Sequence, residues 1–260
     1  MRVKAVILAG GYGSRLSEET TIRPKPMVEI GGKPMLWHIM KIYAAHGIQD
    51  FVICTGYKGH MIKEYFANYF MQSSDVCFDL AENRMEVVVN RAEPWRVTLV
   101  DTGLETATGG RLLRARSYIG EETFCFTYGD GLCNVDIQDT IRFHREKGVL
   151  ATLTAVQPPG RYGAFDLDED ETRVHWFKEK LKGDRSWVNG GFFVVEPKAI
   201  DYVEHDRIMW EARPMERLAA EGQLGAYKHE GFWRCMDHLS DKIQLETLWN
   251  EGSPPWKLWE

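Results

Sequence analysis

The sequence predicts an α/β protein built on a mixed, mostly parallel sheet flanked by helices. Three observations carry that expectation. The first is Ala5-Val6-Ile7-Leu8-Ala9, an apolar run too short for a helix, which empties into the glycine-rich stretch Gly10-Gly11-Tyr12-Gly13-Ser14-Arg15-Leu16. The second is the alternation of further apolar runs with segments of helical periodicity up to about residue 156, the pattern of a sheet covered on both faces. The third is composition: 260 residues, 44% apolar and 27% charged, enough to bury a full core.

Taken in order, the first run reads as a buried strand. Its glycine turn lets the backbone approach an anion closely and aim N–H groups at it, and Arg15 adds charge. A dinucleotide-binding turn would place a third glycine where Leu16 stands. A P-loop would need Gly-Lys-Ser/Thr after four intervening residues, and that is absent. A plain glycine turn with one solvated arginine is the remaining alternative, and Lys25 argues against it. Pro24 and Pro26 fix two φ angles around Lys25 and predict a stiff, extended carrier for the ammonium group.

Pro34 opens a helix through Met35, Leu36, Ile39, Ile42 and Tyr43 that ends near Gly47, with His38 and His46 expected as partly exposed helix residues. Phe51-Val52-Ile53-Cys54 is the second strand. Ile62, Tyr65, Phe66, Tyr69 and Phe70 mark an amphipathic helix whose aromatic stripe is expected in the core. Two strand-like runs, Val76 to Leu80 and Met85 to Val89, predict a β-hairpin excursion within about residues 73–96. A core strand over Val97 to Val100 follows, then Thr108-Gly109-Gly110-Arg111, small residues before a helix and suited to a crevice for a flat base.

Phe124 to Tyr128 is a strongly apolar strand ending in Gly129-Asp130-Gly131. An aspartate there could hold a metal, or could serve only a turn. A helix from about Asp136 to Lys147 and a strand from Ala151 to Val156 complete the alternating half. Beyond it come strands over Phe165 to Leu167, Arg173 to Phe177 and Val188 to Val195, with the acidic run at residues 168–171 as a solvated turn. Short helices are expected over Asp201 to His205 and Pro214 to Glu221. Phe232 to Asp237 reads as a strand, and Asp237 as the cap of a helix over Leu239 to Trp249. Trp256 and Trp259 are expected to pack on this subunit or a neighbour.

A formal charge of −6 disfavours a nucleic-acid or anionic-membrane binder. Five cysteines without Cys-x-x-Cys spacing suggest neither a disulfide framework nor a zinc site, and the N-terminal apolar run is too short for a signal peptide. The expectation is a cytoplasmic protein with no membrane span.

Leu8-Ala9-Gly10-Gly11-Tyr12-Gly13-Ser14-Arg15-Leu16 followed by Lys25-Pro26-Met27 resembles the signature of the sugar-1-phosphate nucleotidylyltransferases. The likeness continues through Thr55-Gly56-Tyr57-Lys58-Gly59, Thr108 to Arg111, Tyr128 to Gly131, Arg161-Tyr162-Gly163, Asn189-Gly190-Gly191 and Pro255-Trp256-Lys257, and so covers essentially the whole chain. One departure is Leu181, where the family usually has proline. The resemblance implies a Rossmann-like nucleotide-diphospho-sugar transferase fold, as one domain over residues 1–260 with a sugar-binding half from about 157. It also implies transfer of a cytidylyl group from CTP to glucose 1-phosphate, with release of CDP-glucose and pyrophosphate, in a homo-oligomer, often a hexamer.

Carried over residue by residue, Arg15, Lys25 and Asp130 become catalytic. Leu8, Ala9, Gly10, Gly11, Gly13, Ser14, Arg15, Lys25, Thr108, Gly110, Arg111 and Gly129 become nucleotide-binding, with Gly110 and Arg111 reading the pyrimidine edge. Tyr128, Gly163, Glu179, Lys180 and Asn189 become sugar-phosphate-binding, and Asp130 with Asp237 would hold Mg²⁺. The rival readings are a UTP- or dTTP-dependent relative, an NAD-dependent oxidoreductase, and a non-catalytic nucleotide-sugar-binding module.

Overall fold

In the computed structural model the described residues are 3–158, 164–167, 174–178 and 187–259. The central sheet has seven strands: β1 Ala5–Ala9, β2 Asp50–Thr55, β3 Arg96–Asp101, β4 Phe124–Tyr128, β5 Ala151–Val156, β6 Val188–Val195 and β7 Leu224–His229. Their spatial order is β7-β5-β6-β4-β1-β2-β3. All neighbours run parallel except β6, which is antiparallel to both β5 and β4. The longer helices are α1 Met35–Ala45, α2 Gly59–Ser73, α3 Thr108–Ile119, α4 Ile137–Lys147, α5 Arg213–Ala220 and α6 Leu239–Asn250, besides a single α-helical turn over Ser17–Thr20.

Strand β1 is buried along its whole length because it packs on both sides. Ala5, Ile7 and Ala9 join a core with Met35, Leu36 and Ile39 of α1, while Val6 and Leu8 join a second core with Leu112 and Ala115 of α3. That two-period alternation, apolar on both faces, is what a parallel sheet under helices requires. From β1 the chain steps outward to β2 and β3, then returns to β4 on the other side, with Leu8 opposite Tyr128. The strand order therefore reverses between β1 and β4, and a crevice opens beyond their carboxyl ends.

Several sequence expectations need correction. His38 is fully buried, because Trp37, Trp249, Trp256 and Trp259 pack their rings around it. His46 is partly exposed, as expected. The aromatic stripe of α2 is only half-buried beyond Ile62, and Phe70 is exposed. Lys25 is not on an extended run: Pro24 is extended, but Lys25–Met27 forms a 3₁₀ turn. The helical piece expected at Asp201 to His205 lies earlier, as a 3₁₀ helix over Pro197–Tyr202. Asp237 does not cap α6; His238 does, and its backbone N–H and that of Asp237 both donate to Asp241 Oδ2, at 2.9 and 3.0 Å.

The hairpin forms as expected. Asp75–Asp79 pairs antiparallel with Arg84–Val89, and the turn is held by Asp79 Oδ1, which accepts from the N–H groups of Ala81 and Glu82. It makes its own two-stranded sheet, and residues 80–91 are all exposed. Trp256 is fully buried against this same chain, stacked on Phe232. Among the described residues no helix is long and apolar enough to cross a membrane.

Candidate active site

Beyond the ends of β1 and β4 lies a cleft of about 670 Å³. Its floor is the glycine turn. The carbonyl of Gly10 is turned into the protein, where it accepts from Tyr57 N–H at 3.0 Å and from Arg111 Nη2 at 3.0 Å. Gly13 takes a left-handed φ of +65° and starts a 3₁₀ turn, Ser14–Leu16, that carries Arg15 to the rim. A side chain at Gly129 would meet the Leu8 carbonyl at 2.8 Å, so the two strand ends can approach only with glycine there.

Two short strands bring distant carboxylates together. Gly131–Cys133 pairs antiparallel with Trp233–Cys235, with Gly131 opposite Cys235, and Met236 N–H donates to the Asp130 carbonyl. Asp130 and Asp237 therefore emerge at the same end of one ladder. Between them sits the Lys25 ammonium, 2.6 Å from Asp130 Oδ2 and 2.9 Å from Asp237 Oδ1. Arg15 reaches the outer oxygen of Asp237 at 2.8 Å and is otherwise solvated.

Lys25 is only 7% exposed. Burial works against its charge, but Asp130 and Asp237 outweigh it and raise its pKa, so it is a fixed cation and not a base. For Asp237 burial opposes ionisation in the same way, and the hydrogen bond and charge of Lys25 with Arg15 behind hold its pKa below the usual range. Oxygens of Asp130 and Asp237 and the Cys235 thiol lie within 4.8 Å of one another. Burial and the neighbouring Asp130 push the thiol pKa up, leaving a neutral sulfur beside two hard oxygen donors. That donor set suits a hard divalent cation with oxygen ligands.

Leu8, Ala9, Gly10, Gly11, Gly13, Ser14, Arg15, Lys25, Thr108, Tyr128, Gly129, Asp130, Asn189 and Asp237 all line the cleft. Gly110 does not. It is buried against the segment after β6: a Cβ there would sit 2.1 Å from the Asp206 carbonyl, and its N–H donates to Ile208 O. Arg111 reaches the cleft wall, but its two terminal amino groups donate to Thr102 Oγ1 and to the carbonyls of Gly10, Thr55, Gly103 and Leu104. As found, it ties the three strand-end loops together and offers no free terminal donor. Gly163, Glu179, Lys180 and Leu181 lie outside the described residues.

One cleft residue escapes the sequence reading. Glu211 accepts a hydrogen bond from the Tyr128 hydroxyl and another from Thr108 Oγ1, the latter at 2.6 Å. Nothing in Met209-Trp210-Glu211-Ala212 has the spacing of a motif, and only the folding of residues 203–212 onto α3 brings Glu211 there. Trp233 likewise lines the cleft and donates from Nε1 to Gly190 O at 2.7 Å.

A glycine turn at the switch point of a parallel sheet faces two carboxylates bridged by a buried lysine, and so offers the backbone donors and the fixed cation that an anionic ligand requires. The model of the nucleotidyl transferase family matches residues 4–233, and the chain belongs to that family. Over 259 residues, 99% of this chain and the whole of the relative, it is 59% identical to the glucose-1-phosphate cytidylyltransferase of Salmonella typhi. It is 42% identical, over 99% of this chain and all of the relative, to a probable glucose-1-phosphate cytidylyltransferase of Bacillus subtilis (strain 168). Among solved structures, HddC from Yersinia pseudotuberculosis superposes with a TM-score of 0.70 at 24% identity, covering 95% of this chain and 99% of that one. A UDP-glucose pyrophosphorylase complexed with UDP-glucose gives 0.67 at 16% identity, covering 96% and 99%, and both share the fold.

Proposed function

We propose that this chain transfers a cytidylyl group from CTP to α-D-glucose 1-phosphate, giving CDP-glucose and pyrophosphate. The full-length identity to the two cytidylyltransferases supports the substrates, and one observation supports the chemistry: Lys25, charged and buried, held between Asp130 and Asp237 at the mouth of the glycine turn.

In this reaction the sugar phosphate oxygen attacks the α-phosphorus of CTP while pyrophosphate departs. The nucleophile is already ionised, so no strong base is needed; the barrier is the mutual repulsion of two anions. At about 4 Å a pair of unit charges repels by roughly 4 kcal/mol even at an effective dielectric near 20. Pre-placed positive charge and orientation therefore carry the rate. The backbone of Gly10, Gly11 and Gly13 cradles the triphosphate, Arg15 at the open rim covers the departing β and γ groups, and Lys25 bridges the reacting phosphates.

Asp130 and Asp237 would hold Mg²⁺, whose contribution is to neutralise phosphate charge. Lys25 holds both carboxylates in place, at 2.6 and 2.9 Å. Lys180 takes the sugar phosphate, while Gly163, Glu179 and Asn189 face the sugar hydroxyls, with Tyr128 beside them. The product suits precursor synthesis for deoxysugars or cell-surface polysaccharide, in the cytoplasm. The exposed hairpin, with Phe78, Leu80 and Val88 on its surface, is a contact for further copies of the chain.

Pyrophosphate release from four nucleoside triphosphates, each paired with several sugar 1-phosphates, tests this reading. CTP with glucose 1-phosphate is expected to give the highest kcat/KM. Preference for UTP or dTTP would overturn the assignment.

A further inference from the structure

Three carboxylates line the cleft among the described residues, and Asp130 and Asp237 face Lys25. The third, Glu211, stands apart from that cluster and has a built seat. Residues 206–210 dock on the start of α3: Ala107 N–H donates to Asp206 O at 2.9 Å and Trp210 N–H to Thr108 Oγ1 at 2.9 Å, with the Trp210 ring fully buried beneath. Gly109 and Gly110 permit this approach, since a Cβ on either would come within 2.7 Å of a loop carbonyl.

The hydrogen-bond directions around Glu211 are determined by chemistry. Thr108 has one hydroxyl proton, and it goes to Glu211 Oε2; Tyr128 has one, and it goes to Oε1. The Tyr128 oxygen in turn accepts from Asn189 Nδ2 at 3.4 Å, and Asn189 Oδ1 accepts from Gly191 N–H at 2.8 Å. This chain runs from β6 across the end of β4 to the start of α3. A carboxylate has about four lone-pair positions, so Glu211 retains acceptor capacity toward the cleft and has no proton to give. A phosphate there would be repelled. What it can take is a ligand group that donates, and on the Asn189 side of the cleft that is a sugar hydroxyl.

We propose that Glu211 is a specificity residue for the acceptor sugar, accepting hydrogen bonds from ring hydroxyls and sorting sugar 1-phosphates by whether a hydroxyl is presented to it. This rests on the reaction proposed above. The site thus has a cationic end for phosphates and an acceptor-only end for the polyol, and the tyrosine and threonine hold that acceptor in one orientation. The cytosine amino group is the competing donor, and the experiment separates the two.

Steady-state kinetics of Glu211→Gln, which keeps shape but replaces an acceptor oxygen by an NH₂ donor, are compared with wild type on glucose 1-phosphate, galactose 1-phosphate and mannose 1-phosphate, and on CTP and UTP. The expected result is a loss of about tenfold or more in kcat/KM for glucose 1-phosphate. KM for CTP should stay within about twofold, and the preference for glucose 1-phosphate over its epimers should shrink. CTP binding and thermal midpoint, measured in parallel, report whether the variant is folded, and Glu211→Asp should restore part of the sugar preference. If the CTP-over-UTP preference changes instead, or if all sugars lose activity equally, the inference is wrong. Wild-type inactivity on CTP and glucose 1-phosphate would overturn the proposed reaction and this inference with it; an active wild type with an unaltered Glu211→Gln overturns this inference alone.

Discussion

Lys25 shows how a single residue links stability to chemistry. A buried ammonium is tolerated because two carboxylates lie within 2.9 Å, and the ammonium in turn helps to hold the pKa of Asp237 below the usual range. Replacing Asp130 by asparagine removes one charge of this cluster while Asp237 still pairs with Lys25. The expected outcome is an unchanged circular-dichroism spectrum with pyrophosphate release reduced by about a hundredfold or more. Turnover at the wild-type rate would take Asp130 out of the chemistry. His38 has the opposite character. Burial among four tryptophans drives its pKa down to about 4, while its Nε2 holds the Ile30 carbonyl at 2.9 Å. An unfolded histidine protonates near 6.5, so between pH 6.5 and 4 the unfolded chain binds a proton that the folded one refuses. The stability is present above pH 6.5 and is lost as pH falls toward 4, by about 3 kcal/mol if the full shift is realised. Urea unfolding across that range should show this slope in wild type and a flatter one in His38→Gln; equal slopes would mean that other groups dominate acid unfolding.

At the scale of elements, Thr108-Gly109-Gly110-Arg111 is the most instructive stretch. Read along the chain, small residues before a helix suggest a surface for a flat base. In space the residues divide the work differently: Thr108 orients Glu211, the glycines seat residues 206–210, and Arg111 joins three loops. In an exposed helix glycine to alanine stabilises by about 1 kcal/mol. At Gly110 the sign should reverse, because the added methyl would sit 2.1 Å from a backbone carbonyl. Gly110→Ala is expected to destabilise by about 1–3 kcal/mol in urea melts. It should also lower activity by displacing the segment that carries Glu211. A more stable variant would show that this packing is looser than the distances imply. Helix α2 gives a complementary lesson: its aromatic spacing is that of a core helix, yet beyond Ile62 the stripe is only partly covered. Periodicity reports which face is apolar, not how much lies on top of it.

At the scale of the whole molecule, the hairpin over Asp75–Asp79 and Arg84–Val89 stands outside the main sheet and exposes Phe78, Leu80, Val88 and Val89. Such a patch is costly in water and characteristic of a contact surface. With the proposed self-association, light scattering should give a multiple of 30.0 kDa, and the pair Leu80→Glu with Val88→Glu should reduce that multiple while leaving the thermal transition cooperative. A monomeric wild type would exclude self-association through this surface.

The alternating strands and helices and the glycine turn with Arg15 are legible in the chain, because each depends on local rules: two- and 3.6-residue periodicity and glycine freedom. By those rules Asp237 is only a helix cap, and it is the family resemblance that places it with Asp130. The burial of His38 and the presence of Glu211 in the cleft are not legible there. Each depends on residues more than 80 positions apart meeting, Trp256 on His38 and Glu211 on Tyr128. By itself, then, the sequence determined the sheet and the chemistry of its opening turn. The tertiary structure alone decided which carboxylates face the ammonium, which face a hydroxyl, and which histidine is denied water, since burial and pairing are properties of the packed chain and not of any stretch of it.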